Sequence, residues 1–452
     1  MRRMREAVLS FESRDDGLPR IIKEYRDTYQ AISQVLDANP EILLAVHEDL
    51  KELSEGSSKG RGGDYTSENI LRALIVKHKE GLTYRKAVIR IGSDPFLQDF
   101  LRMWKMVVMD FTFLSKCFKA IQPQTWKRVN EILGQYAVAQ KMIRTDVIRT
   151  DTTVVESNIH YPTDASLLWD TWRVSSRLLK RAREIVPGCC SHRFHSKKIK
   201  KLYLYVTRYI PSKSAKRQQQ VKTHFRTLIE RVAWMISVVE EFCNASHSNA
   251  EVADLASKLK AYLPAMKKVV RAAIKSQIEG QKVPAAERVF SIFEPHTELI
   301  IRGRREKPVE FGHKTLLSET KQKFISDYEV YELQQPDNEL TEPAILRHEK
   351  LFGVRPKVMA ADKGFCPEQK KFEELAKLIP TLAIPRRMRD FMDQALVAWQ
   401  KFRAGIEGTI SGLKRAFRLI RCFHRGFKSF SSAVGLGVFC HNLIVLGKLK
   451  SG

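Results

Sequence analysis

The segment VIRTDTTVV, residues 147–155, constrains the fold more than any other part of this chain. β-Branched residues cluster there and helix formers vanish, which predicts a strand. A lone strand is not stable, and the next strand-like pattern arrives only after about 125 mainly helical residues. Its partners must therefore lie beyond that helical stretch. ERVFSIFEPHTELIIRGRREKPVEFGHKTLLSE, from Glu287, alternates and is punctuated by Gly303 and Gly312, so it reads as antiparallel strands. PKVMAADKGF reads as a short buried strand ending in a turn, and LIPTLAIP as another, with a helix opening at Pro367 between them. A long basic helix or helix pair follows over about 388–420. The predicted class is α/β: a mixed sheet built from residues 141–160 and 286–450, interrupted by a helical insertion over 161–285.

Residues 1–140 precede that sheet and read as all-helical. Apolar residues recur at helical spacing over 18–53, and the Gly- and Ser-rich SEGSSKGRGGD, residues 54–64, marks a linker or exposed loop. A helix then starts at Thr66 or Ser67, breaks at Gly81 and is followed by a second amphipathic segment carrying Arg85, Lys86 and Arg90. Two short helices about a glycine turn suit a DNA-binding helix-turn-helix, although any small helical domain has the same pattern.

Charge points to the partner. Lys and Arg number 78 against 51 Asp and Glu, a formal net charge of +27. The segment Arg173 to Lys222 alone holds fifteen Lys or Arg and one acid, Glu184, and such a block binds nucleic acid through counterion release. A merely solvated basic face is the plainer alternative. Seven cysteines without a CxxC pair argue for a reducing compartment, and the start of the chain has no apolar segment of a secretory signal. SSAVGLGVFCHNLIVLGKL, the longest apolar run, is broken by His441 and Asn442 and reads as a packed core helix; no membrane partner is expected.

Three acids occupy positions with chemical meaning. Asp151 interrupts the β-branched strand, where acids are disfavoured. Asp362 ends KVMAA directly before the Lys363–Gly364 turn, at the carboxyl end of a strand, where open α/β sheets build their sites; an Asx turn is the bland reading of the same residue. Glu407 is one acid in the basic helix RAGIEGTISGLKRAFRLIR, with Arg403 one turn before it and Lys414 two turns after it. Three such carboxylates close together would repel one another and raise each other's pKa unless a divalent cation held them. Hard oxygen ligands suit Mg²⁺ or Mn²⁺.

The segments RTDTTVVESNIHYPTDASLL, VEFGHKTLL, VMAADKGF and FRAGIEGTISGLKR together resemble the insertion-sequence DDE transposases, bacterial enzymes with a ribonuclease-H-like catalytic domain. The resemblance spans about residues 66–446. Its most specific piece is the helical signature Tyr, two residues, Arg, three residues, Glu, six residues, Lys, which Arg403, Glu407 and Lys414 match while Gln400 replaces the tyrosine. Trp399 and Phe402 stand nearby as candidates for the missing aromatic. The resemblance implies that Asp151, Asp362 and Glu407 are catalytic and hold two Mg²⁺ ions, with Mn²⁺ as substitute. It implies that Arg403, Lys414, Arg415, Lys314 and Lys363 contact DNA. It further implies binding of terminal inverted repeats, strand cleavage and strand transfer, a homodimer on double-stranded DNA, and a bacterial cytoplasmic, nucleoid-associated setting.

Other features weigh less. Cys189, Cys190, His192 and His195 in CCSHRFH have no usual zinc spacing and read as a basic loop. His313 lies in the family-like strand, at a site edge or simply in the core, and Thr163 or Asp164 in YPTDASLL is expected to cap a helix, with Asp164 as the capping acid. The competing functions are a transposase-derived DNA-binding protein without chemistry, and a nuclease of the same fold. Strand transfer separates the latter from a transposase, and metal-dependent nicking the former.

Overall fold

The computed structural model describes residues 3–4, 17–55, 65–103, 107–301, 307–386 and 393–451. The segment 56–64, most of the expected linker, lies outside the described residues, as does Gly303. The chain is α/β with a mixed sheet, and it divides into two compact units: Met1–Glu156 with Gly312–Gly452, and Ser157–Phe311.

Seven helices open the first unit: α1 (Arg20–Asp37), α2 (Pro40–Glu55), α3 (Ser67–Lys79), α4 (Tyr84–Ser93), α5 (Pro95–Phe100), α6 (Phe111–Ala120) and α7 (Pro123–Ala139). Thr66 caps α3, its hydroxyl accepting from the Asn69 amide while the Asn69 side chain accepts from the Thr66 amide. Gly81 supplies the left-handed turn between α3 and α4 at φ 59°. The helices are tied by buried charge: Arg72, 0% exposed, donates to Glu68 at 3.0 Å and Asp37 at 3.1 Å, and Arg102 reaches the same two acids at 2.7 and 2.8 Å.

The second unit is a helical bundle of α8 (Asp164–Ile185), α9 (Ser196–Tyr209), α10 (Ala215–Asn244) and α11 (Ala250–Ala273) around Leu168, Val232, Met235 and Leu259. Thr163, not Asp164, caps α8, in a reciprocal box with Ser166. Asp164 instead accepts from Ser276 at 2.6 Å, Gln277 at 2.8 Å and Arg288 at 3.0 Å, which pins the end of α11's extension to the start of α8. Residues 288–297 are not the expected strand. Val289 and Ile292 pack into the helical core, and the Ser291 hydroxyl accepts from the Phe293 and Glu294 amides, so the segment is a buried loop.

The strands are β1 (Val147–Ser157), β2 (Glu298–Ile301), β3 (Val309–Thr320), β4 (Ile325–Val330), β5 (Val358–Ala360), β6 (Thr381–Ala383) and the short β7 (Arg421–Cys422). In the first unit β3 lies between β4 and β1, antiparallel to both, while β1, β5 and β6 run parallel in that order, and β7 adds to β1; β2 belongs to the second unit and pairs with β3, whose first residues, Val309 to Phe311, lie in that unit too. Gly312 does not break β3: it sits opposite Glu156, where a Cβ would lie 2.0 Å from the Val155 carbonyl oxygen. Helices α12 (Thr341–Phe352) and α13 (Gln369–Leu378) connect β4 to β5 and β5 to β6, and α14 (Gln394–Arg415) follows.

The apolar helix α15 (Phe427–Ser451) closes the first unit. Over Phe427–Lys450 it is long and apolar enough to cross a membrane, but 78% of its most apolar window is buried inside the protein. Its glycines admit close neighbours: a Cβ on Gly435 would lie 2.5 Å from the Tyr328 hydroxyl, and one on Gly437 would lie 2.7 Å from Leu419 Cδ1. Asn442, which interrupts the apolar run, accepts from the Ile325 amide and donates to its carbonyl, both at 2.9 Å. A side chain thus satisfies both backbone groups of Ile325 in β4.

Candidate active site

The register of β1 and β5 brings two acids together. Arg149 and Ala360 form the last pair of the parallel ladder; Asp151 and Asp362 follow two residues further along each chain, close enough for the charge of Asp362 to raise the Asp151 carboxyl. Asp151 is the one residue of β1 that is not fully buried. Burial pushes its carboxyl up to about 6, with the charges of Asp362 and Asp337 adding to the rise, while the Thr152 amide at 2.7 Å and Arg403 oppose it. The Asp362 carboxylate accepts from the Gly364 amide at 2.9 Å, so the Asx turn and the strand-end position coexist.

Helix α14 is docked on this sheet by polar contacts. Gln400, at the position of the missing tyrosine, donates to the carbonyls of Ala361 at 3.0 Å and Ala383 at 2.8 Å, satisfying the chain just beyond β5 and the last residue of β6. One turn and a little further on, Gly405 leaves room for the buried Arg149, whose Nη1 would lie 2.0 Å from a Cβ there. Arg149 donates to the Phe402 carbonyl at 2.8 Å and forms a two-pronged ion pair with buried Glu319, which also accepts from Thr409 at 2.9 Å. Ile406 and Leu413 complete the buried side.

That docking leaves Arg403 and Glu407 beside the strand ends. The Arg403 guanidinium spans two of the expected acids, with Nη1 3.4 Å from Asp151 and Nη2 3.1 Å from Glu407. Glu407 remains 64% exposed, whereas Arg403 is 17% exposed and its Nε has no hydrogen-bond partner among the described residues.

A fourth acid, Asp337, belongs to the site. It accepts from Lys314 Nζ at 2.9 Å and from the Thr152 hydroxyl at 3.2 Å, next to Asp151. Its sequence context, QQPDNEL, is ordinary turn composition, and only the fold brings it near β1. Lys314, expected on DNA, turns inward: it is 7% exposed and also donates to the Gln335 carbonyl at 2.7 Å. His313 is fully buried, bonded to the Tyr331 carbonyl at 3.0 Å and packed edge-on to Phe427 and Phe430. Lys363 and Arg415 are exposed, and Lys414 and Arg415 lie in the last turn of α14.

Among the described residues no three His, Cys, Asp or Glu side chains are gathered tightly enough to hold an ion as they stand. The arrangement is an Asp151–Asp362 pair, with Arg403 joining Asp151 to Glu407. The donor chemistry still suits a hard divalent cation: the acids are all oxygen donors, and Asp151 sits among like charges that a cation would relieve. Arg403 already supplies a positive charge there. Comparison with protein-family models, curated proteins and solved structures found no match for the chain.

Proposed function

We propose that this chain is a DNA transposase of the DDE type. The observation that carries the reading is the side-by-side register of Asp151 and Asp362, with Glu407 presented by a helix docked across the same strand ends. The sheet adds support. If β4, which pairs with β3 off the main path β2-β3-β1-β5-β6, is counted and β2 and β7 are set aside, the strands run β4-β3-β1-β5-β6 with β3 antiparallel to both neighbours, the order a ribonuclease-H-like fold would have. The helical unit Ser157–Phe311 is then an insertion after the first strand.

Mg²⁺, or Mn²⁺ in its place, would be held by Asp151, Asp362 and Glu407 and would supply an activated water and a stabilised leaving oxygen. The chain's own groups do the rest. Arg149 and Gln400 hold α14 in register, so that Glu407 faces the strand ends. The Lys314–Asp337 pair and Thr152 brace the floor beside Asp151. Arg403 neutralises the acids at rest and would pair with a phosphate of bound DNA, while Lys414, Arg415 and exposed Lys363 offer backbone contacts. The partner is double-stranded DNA, transposon ends and target, engaged by a homodimer in the bacterial cytoplasm; the net charge of +27 favours such a polyanion.

The test is incubation of the protein with its element's terminal inverted repeats and Mn²⁺, beside Glu407→Gln. The parent should nick at the repeat end and join the 3′ end to a target strand. Glu407→Gln should bind the repeats as well as the parent does and lose at least a hundredfold in cutting. Equal cutting by the variant overturns the site, and DNA binding without any cutting by the parent indicates a DNA-binding protein without chemistry.

A further inference from the structure

A second basic cleft lies in the first unit, made by α3, α4 and α6 on one side and the chain from Phe417 to Arg425 on the other. Its volume is about 480 Å³, within the range of sites that enclose a small group. Its charged lining is basic: Lys77, Lys119, Arg418 and Arg425 face it beside His78, Thr83, Tyr84 and Ser115, and among the described residues no Asp or Glu does. Arg421 is the exception in being paired, to Glu156 at 2.8 Å. Phe417, Leu419, Leu82 and the 64% exposed Phe423 supply apolar walls.

The buried part of this lining has no counter-charge. Lys77 is 9% exposed and faces the ring of Tyr84 at 4.6 Å. Burial, and then the charge of Arg418, lower the Lys77 ammonium to about 8. His78, 8% exposed, has no partner at Nε2 among the described residues, and neither does the Tyr84 hydroxyl. Burial holds His78 well below its usual range, followed by the charges of Lys77, His424 and Arg418. A fold retains a buried ammonium without a counter-charge, and unpartnered polar groups beside it, at a cost unless a ligand meets them. The ligand must be an anion with an apolar neighbour.

We propose that this cleft is a phosphate subsite for DNA, taking one backbone phosphate on Lys77, His78 and Arg418 and the face of its nucleotide against Phe417 and Phe423. The inference rests on the transposase reading only in taking DNA as the partner. A strand running through, rather than a free nucleotide, is favoured by further basic residues next in sequence to the lining: Lys414 and Arg415 at the end of α14, just before Phe417, and exposed Arg85 and Lys86, just after Tyr84. The site is separate from the three acids in the residues it uses, so its loss weakens binding without removing the chemistry.

The experiment uses the full chain and fluorescence anisotropy with a labelled 30-base-pair duplex between 50 and 300 mM salt, for the parent, Lys77→Met, Lys77→Arg and Arg418→Ala. Inorganic phosphate and dAMP are titrated separately by calorimetry. Lys77→Met and Arg418→Ala should each raise Kd about five- to tenfold at 100 mM salt and flatten the log–log salt slope by about one. Lys77→Arg should restore most of both, and Arg418, being exposed, gives a variant less disturbing to the core than one at Lys77, its fold checked by circular dichroism and melting temperature. Duplex binding by the parent with unchanged affinity and slope in both variants overturns this subsite and leaves the transposase reading standing. Micromolar dAMP binding lost in Lys77→Met, with duplex binding intact, overturns it in favour of a free-nucleotide site. Failure of the parent to bind any duplex removes the transposase reading with it.

Discussion

Asn in place of Asp151 should make the protein more stable at neutral pH. The carboxyl is moved from an ordinary value of 3.8 to about 6, chiefly by burial and then by Asp362. A rise of about two units corresponds to about 3 kcal/mol against the ionised folded form, with Arg403's opposing pull already included. Because the folded value is raised, the parent's stability relative to the variant is fully present below pH 3.8 and is lost as pH climbs through about 6. Asp151→Asn, which mimics the protonated acid, should therefore match the parent near pH 3.5 and exceed it by about 2–3 kcal/mol at pH 7.5. Urea midpoints measured across that span without divalent ions would read the difference, and the expected gain is an appreciable part of a domain's stability. A variant less stable than the parent at pH 7.5, or a difference that does not change with pH, would refute the reasoning. Excess Mn²⁺ should narrow the gap at pH 7.5 by stabilising the parent alone.

Gly405→Ala would drive a Cβ into Arg149; overpacking of about 1–3 kcal/mol is expected in denaturant unfolding, with cutting reduced more than DNA binding because Arg403 and Glu407 ride on the displaced helix. Arg72→Ala would remove the 3.0 Å ion pair with Glu68, which is 6% exposed, and the 3.1 Å pair with Asp37 from the buried network shared with Arg102. A loss of about 3–5 kcal/mol is expected, read as a lowered melting temperature in calorimetry, and a change under 1 kcal/mol would contradict the buried-network account.

What could be read from the chain differed by the range of the interaction. β1 was legible because β-branching is local, and Asp151 stood out as an acid where strands avoid one. The helix around Glu407 was legible for the same reason, since Arg403 lies one turn from it. Residues 288–297 misled because a short apolar run is also produced by a loop packed into a core, and here Val289 to Ile292 are buried one after another without a strand partner. Asp164 sat one residue past the cap, and its partners, Ser276 and Arg288, are more than a hundred residues away. Long-range pairs account for the largest omissions. Arg149 meets Glu319 across 170 residues, and nothing in either neighbourhood advertises the other. Asp337 was concealed by turn composition, and Lys314 by a strand context that fits a DNA contact as well as an internal ion pair. Gln400 departed from the resemblance, and the structure gives it a different task, holding the ends of two strands.

The central claim is that Asp362 shares a metal-dependent site with Asp151. The most direct measurement is cleavage of the terminal repeats by Asp362→Cys with Mg²⁺ and with Mn²⁺ in turn. A thiolate is a poor ligand for Mg²⁺ and an acceptable one for softer ions. The account predicts cutting abolished in Mg²⁺ and substantially restored in Mn²⁺, with DNA affinity unchanged. Cutting in Mg²⁺ equal to that of the parent would contradict it.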